Sequence, residues 1–156
     1  MMSNPAEFNN VKMKQRILDV SCHLFNVYGI ETVALSGVAR ELNISTGLLT
    51  YHYPKKAQLF SALFDQFFAA LSQLIQQFPT QAQPQQVSRS YIDVIRLIWQ
   101  YQFLFLGSNF IIQSKLVDSE RYSDLITNTK EVFKDFVERL VLAGTMKPIE
   151  HPHTVD

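Results

Sequence analysis

Residues 38–54 read V-A-R-E-L-N-I-S-T-G-L-L-T-Y-H-Y-P, an order that leaves the backbone few choices. Val38, Ala39 and Leu42 fall at i, i+1 and i+4, on one face of a short helix. Asn43 stands where that helix must turn, and asparagine tolerates the left-handed region better than most non-glycine residues. Ile44 then plugs back into the interior. Ser45 is a good N-cap, with a hydroxyl free to accept from an amide of the next turn. A second helix is expected from Thr46 to about Tyr53. Pro54 stops it, because the residue before a proline is pushed out of helical geometry.

A helix, a tight turn and a second short helix form a device for laying the second helix in the DNA major groove. Leu49 is expected to turn inward with Ile44, which leaves Thr46, Gly47, Leu48, Thr50, Tyr51 and His52 outward. Gly47 permits close approach to a phosphate or base edge. The hydroxyls of Thr46, Thr50 and Tyr51 and the His52 ring suit phosphate oxygens, and Leu48 suits a thymine methyl. Lys55 and Lys56 follow at the start of the next helix, where cationic side chains and free amides both favour a phosphate. An ordinary helical hairpin with a solvated polar side fits the same spacing.

The resemblance to a known family narrows that choice. From Ile17 to Leu63 the sequence resembles the N-terminal domain of the TetR family of bacterial repressors. The matching residues are I-L-D-V-S-C-H-L-F-N-V-Y-G (17–29), V-A (38–39), N-I-S (43–45), G-L-L-T-Y-H-Y-P-K-K (47–56) and Leu59. The resemblance implies that Thr46, Gly47, Leu48, Thr50, Tyr51 and His52 face double-stranded DNA and that Lys56 holds a phosphate. Lys55 and Ser36 are expected on the same side. Thr50 stands where many members have tyrosine, Asn43 replaces the usual glycine, and Ser36 and Gly37 weaken the start of the first paired helix.

The 156 residues are 47% hydrophobic, enough to bury a core, and carry only five glycines. With apolar residues at helical spacing, the fold class is all-α. Net charge is zero, but residues 1–60 carry six Lys/Arg against four Asp/Glu, and residues 61–156 eight against ten. That gives +2 in front and −2 behind, a slight bias toward DNA at the front. Cys22 is the lone cysteine, which excludes an internal disulfide and suits a reducing cytoplasm. No signal peptide and no membrane-spanning run is read; the apolar stretch 103–112 is broken by Gly107, Ser108 and Asn109.

In order, residues 1–10 are expected to form a loose leader and Lys12–Tyr28 an amphipathic helix stopped by Gly29. Lys12, Lys14 and Arg16 cluster at its start, which fits either an external anion or a solvated face. A helix from Lys56 to Phe78 is so apolar that it must be covered on several sides. It is a candidate lever between front and back. A proline- and glutamine-rich loop follows (79–86), then helices from about Val87 to Tyr101, from Gln102 to Val117 with a possible kink at Gly107, and from Ser119 to Ala143 before Gly144. The organisation expected is a leader (1–10), a helix-turn-helix domain (11–57), a helical regulatory and dimerisation domain (58–144) and a tail (145–156).

The back half resembles the regulatory domains of the same family more loosely, in Y-Q-F-L-F-L (101–106), E-R-Y-S-D-L and a long helix ending in A-G. Such domains receive an inducer and form the dimer. The resemblance implies a homodimer on a palindromic operator and a hydrophobic small-molecule effector. Tyr91, Trp99, Phe103, Phe110, Ile111 and Phe133, with Tyr101, Phe105 and Phe136, are the candidate lining, although aromatic residues at helical spacing are more often core. No glycine-rich phosphate loop, metal-ligand set or nucleophile beside a base is present, so no enzyme and no cofactor is expected. The reading is a DNA-binding transcriptional regulator, a ligand-responsive repressor. The alternative is a helical lipid-binding or interaction module with this fold and no specific DNA binding.

Overall fold

α1 runs from Pro5 to Tyr28. The computed structural model describes residues 5–77, 84–114, 116, 119–142, 144 and 146–147. Proline is well suited to a first helical turn, where its missing N–H would have no partner, so the helix starts well before Lys12. The expectation of a loose leader through Asn10 is corrected to that extent. Residues 1–4 and most of the tail expected at 145–156 lie outside the described part. α1 ends at Gly29, whose φ of 81° lies in the left-handed region. Its inward stripe is Ile17, Leu18, Ser21, Leu24 and Phe25, all buried. The Ser21 hydroxyl donates to the Ile17 carbonyl at 2.6 Å, so this buried polar group is satisfied.

α2 (Leu35–Glu41) and α3 (Thr46–His52) follow as the paired helices, then α4 from Lys56 to Gln76. α4 buries Leu59, Phe60, Leu63, Phe67, Leu71 and Ile75 along its length. α1, α5 (Pro84–Gln100) and α8 (Ser119–Leu142) all pack against it. One helix thus serves both the head, built from α1–α3, and the body behind it. α5 begins at Pro84, earlier than the expected Val87; the loop expected at 79–86 otherwise falls mostly outside the described residues. Gly144, at φ 68°, closes α8, its N–H donating to the Val141 carbonyl at 2.9 Å.

The helix expected from Gln102 to Val117 is two helices, α6 (Phe103–Leu106) and α7 (Ser108–Gln113), separated at Gly107. The glycine at the break has a steric reason. A Cβ on Gly107 would lie 2.9 Å from Ile30 Cγ2 and 3.0 Å from the Phe103 carbonyl oxygen. Here the body comes so close to the turn after α1 that no side chain fits. Beside it, Phe103 is buried with its ring 5.3 Å from that of Phe25 on α1 and 6.3 Å from that of Phe60 on α4. Tyr101 and Phe105 pack on Phe67, each at 5.6 Å between centroids. The described residues contain no strand and no helix long and apolar enough to cross a membrane.

Gly107→Ala is expected to destabilise the chain by about 1–3 kcal/mol, because it overpacks this joint. Gly37→Ala, where a Cβ meets nothing within 4 Å, should instead add about 0.4–1 kcal/mol by restricting the unfolded chain. Denaturant titration of both variants checks the pair.

Candidate nucleic-acid interface

The two paired helices are locked by their connection. Asn43 has φ 54°, a non-glycine residue in the left-handed region. That conformation lets the Ile44 N–H return to the Ala39 carbonyl at 3.0 Å and the Asn43 N–H to the Arg40 carbonyl at 3.1 Å. Ser45 then caps α3, its Oγ accepting the Leu48 N–H at 3.1 Å. At the far end Tyr53 is buried and Pro54 prevents continuation. α3 is seven residues long, about 10 Å at the usual rise, and so short enough for a groove roughly 12 Å wide.

Leu49 is fully buried and orients the helix. With Leu49 turned in beside the buried Val38 and Ala39, the side chains on the other faces of α3 meet solvent. Thr46, Gly47, Leu48 and Tyr51 are exposed, Tyr51 at 73%. Thr50 is half-buried, and its hydroxyl donates to the Gly47 carbonyl at 3.2 Å, so it is less free than its outward position suggests. His52 is also half-buried; its ring lies edge-on to Tyr51 at 5.2 Å, and its Nδ1 is shielded without a partner among the described residues. Burial, and then the nearby Lys14 charge, push its pKa below the ordinary imidazole value. Ser36 and Lys55 are exposed, and the Lys55 backbone N–H donates to Gln58 Oε1 at 3.1 Å, fixing the start of α4.

Lys56 departs from expectation. Its Nζ donates to the Ile30 carbonyl and lies 5.8 Å from the ring centroids of both Phe25 and Phe110. Burial lowers its pKa, partly offset by Glu31. An ammonium held by a carbonyl and two aromatic faces is coordinated from within the protein. In this structure Lys56, expected at a phosphate, ties α4 to the turn after α1 and to α7. Lys14, which reaches the electrostatic environment of His52 from α1, is a basic residue whose role the helix pattern leaves open. Its effect on His52 is what draws it into the site.

The expected ligand lining does not converge. Trp99 is 67% exposed, Phe133 50% and Phe105 48%. Phe103, Tyr101, Ile111 and Phe136 are buried core. Phe110 is half-buried against Lys56, and the Tyr91 side chain lies outside the described residues. α5 has its inward side filled by Val94 and Leu97, with Tyr101 buried just beyond its end, which turns Trp99 outward. A cleft of about 410 Å³ between α4 and α5 is lined by Gln73, Leu74, Asp93, Arg96, Leu97 and neighbours, none of them expected. Among the described residues no group of three His, Cys, Asp or Glu side chains is placed to hold a metal ion.

Residues 17–63 match the family model of bacterial regulatory proteins of the tetR family. No curated protein matches the sequence at a significant level. Among solved structures, the fold is similar to that of a TetR-family transcriptional regulator from Marinobacter aquaeolei, with TM-score 0.70 and 20% identity over 90% of this chain and 68% of that one. It is also similar to the TetR-family transcriptional regulator PfmR from Thermus thermophilus, with TM-score 0.64 and 19% identity over 86% of this chain and 75% of that one. At those identities the likeness is one of fold.

Ser45→Ala should cost about 1 kcal/mol of stability through the lost cap, read by thermal or denaturant unfolding. The His52 ring should titrate below 6.5 in the folded chain, and Lys14→Ala should raise its midpoint, followed by NMR. Because the unfolded chain binds that proton more readily, the stability held by the neutral ring is complete above the ordinary imidazole pKa. It is lost as pH falls from there toward the folded value.

Proposed function

Because residues 17–63 match the model of the tetR family of bacterial regulatory proteins, we propose that the chain is a ligand-responsive repressor that reads a palindromic operator as a homodimer. The observation that supports DNA reading best is the use of α3's one inward side by Leu49, with Thr46, Gly47, Leu48 and Tyr51 left exposed. Hydroxyls and a glycine on a short, capped helix suit base edges and phosphates together. The exposed Lys55, just past the end of α3, and Lys14, whose charge acts on His52, supply positive charge near it. Regulators of this family are not enzymes.

The dimer places two copies of α3 about one duplex turn apart, roughly 34–36 Å. Its interface runs along α8 and its neighbour, and the exposed Phe133 and Leu142 on α8 support that choice. The effector is a hydrophobic molecule, fatty-acyl or aromatic, received by the body. It favours a state in which α4, acting as lever, holds the heads at the wrong spacing. The protein works in the cytoplasm on double-stranded DNA.

Selection of bound fragments from genomic DNA, followed by mobility shift with excess nonspecific competitor, tests the reading. Thr46→Ala with Tyr51→Ala should weaken operator binding about tenfold or more at unchanged helicity. Lys55→Ala should reduce the slope of log affinity against log salt by about one, as for a phosphate contact. Lys56→Ala should leave that slope intact and lower stability instead. Bound lipid with no fragment surviving competition would favour the carrier alternative.

A further inference from the structure

The end of α5 and the start of α6 are finished by a residue of neither helix. The last carbonyl of α5, on Gln100, accepts the Asn26 side-chain amide at 2.7 Å and the Cys22 thiol at 3.0 Å. The first amide of α6, on Phe103, donates to Asn26 Oδ1 at 3.1 Å. These are helix-end groups that their own helices leave without partners. The backbone bonds across this turn run to the carbonyls of Leu97, Ile98, Trp99, Tyr101 and Gln102. One α1 side chain therefore clips both sides of the α5–α6 corner.

We infer that Asn26 is a positioning residue, which fixes the angle between the head that carries α3 and the body by bridging Gln100 and Phe103. The covalent passage from head to body is α4 alone, so the angle between them is set by what α1 makes with α5 and α6. Phe103, between Phe25 and Phe60, holds the two parts together, but apolar contact is non-directional and permits sliding. The paired bonds of Asn26 have a required direction at each end, so they set the register of the corner on α1. In the regulatory reading proposed above, on which the DNA half of this inference rests, a body rearranged by an effector reaches α3 by shifting this corner.

Spin labels at R40C on α2 and I92C on α5, both exposed sites, report head–body distance in the free protein. The native Cys22 is buried, and burial with the Asp19 charge pushes its thiol up to about 11, so labelling spares it. Asn26→Leu keeps the side-chain bulk and removes both bonds; Asn26→Asp keeps the acceptor for Phe103 and loses the donor to Gln100. The expected result is a distance distribution about twice as broad in N26L and intermediate in N26D. On DNA, N26L should lose roughly tenfold for the two-half-site operator and accept altered spacings, with single half-site affinity unchanged. Distributions as narrow as the parent's overturn the inference, as does equal loss on single and paired half-sites, the mark of general damage. If N26L fails to fold, the N26D distribution decides in the same way. The distance measurement needs no DNA, so it decides this inference even if fragment selection overturns the regulatory reading.

Discussion

The left-handed turn at Asn43 constrains everything else in the head. It brings the Ile44 amide back to Ala39 and delivers Ser45 to cap α3. Those bonds fix where α3 starts, and burial of Leu49 fixes which way it faces. A rotation of α3 by one residue would expose Leu49 and bury polar groups, at a cost of about 1.5–3 kcal/mol from the apolar side chain alone. The outward set of side chains is thus a consequence of packing, and the chemistry offered to a partner follows from it.

The same logic joins the head to the body. Gly107 admits Ile30, Phe103 enters between Phe25 and Phe60, Asn26 bridges Gln100 and Phe103, and Lys56 reaches Ile30 with Phe110 alongside. Every one of these contacts involves α1, the turn after it, or the first turns of α4. The exposed face of α3 and the face of α1 that meets the body belong to one small helical unit. Packed atoms join the two faces, and close-packed interiors transmit displacement instead of absorbing it.

Much of this is legible in the sequence because the signals are local. The asparagine turn, the serine cap, the proline stop and the spacing that buries Leu49 all act within a few residues, and the helices they define are found. Family resemblance adds the partner. What escapes a reading of the sequence is long-range. Lys56 follows a proline in a basic pair, and nothing nearby in sequence shows that Ile30 and Phe110 will claim its ammonium. Trp99 and Phe133 sit at helical spacing like core residues, yet their outward turn depends on which face of α5 or α8 meets α4. Asn26 lies in an amphipathic helix with no local mark of its role, since its partners are more than 70 residues away. The late start expected for α1 reflects the weak apolar stripe of residues 5–11, although Pro5 carries an N-terminal signal.

In the proposed function the outer face of α3 is the surface that meets DNA. Amide and side-chain NMR of the full chain, titrated with a selected fragment at raised salt, addresses it residue by residue. The largest perturbations are expected on Thr46, Gly47, Leu48 and Tyr51, with smaller ones at Lys55 and on the basic turn of α1. Perturbations confined to α5 or α8, with α3 silent at saturation, would contradict it.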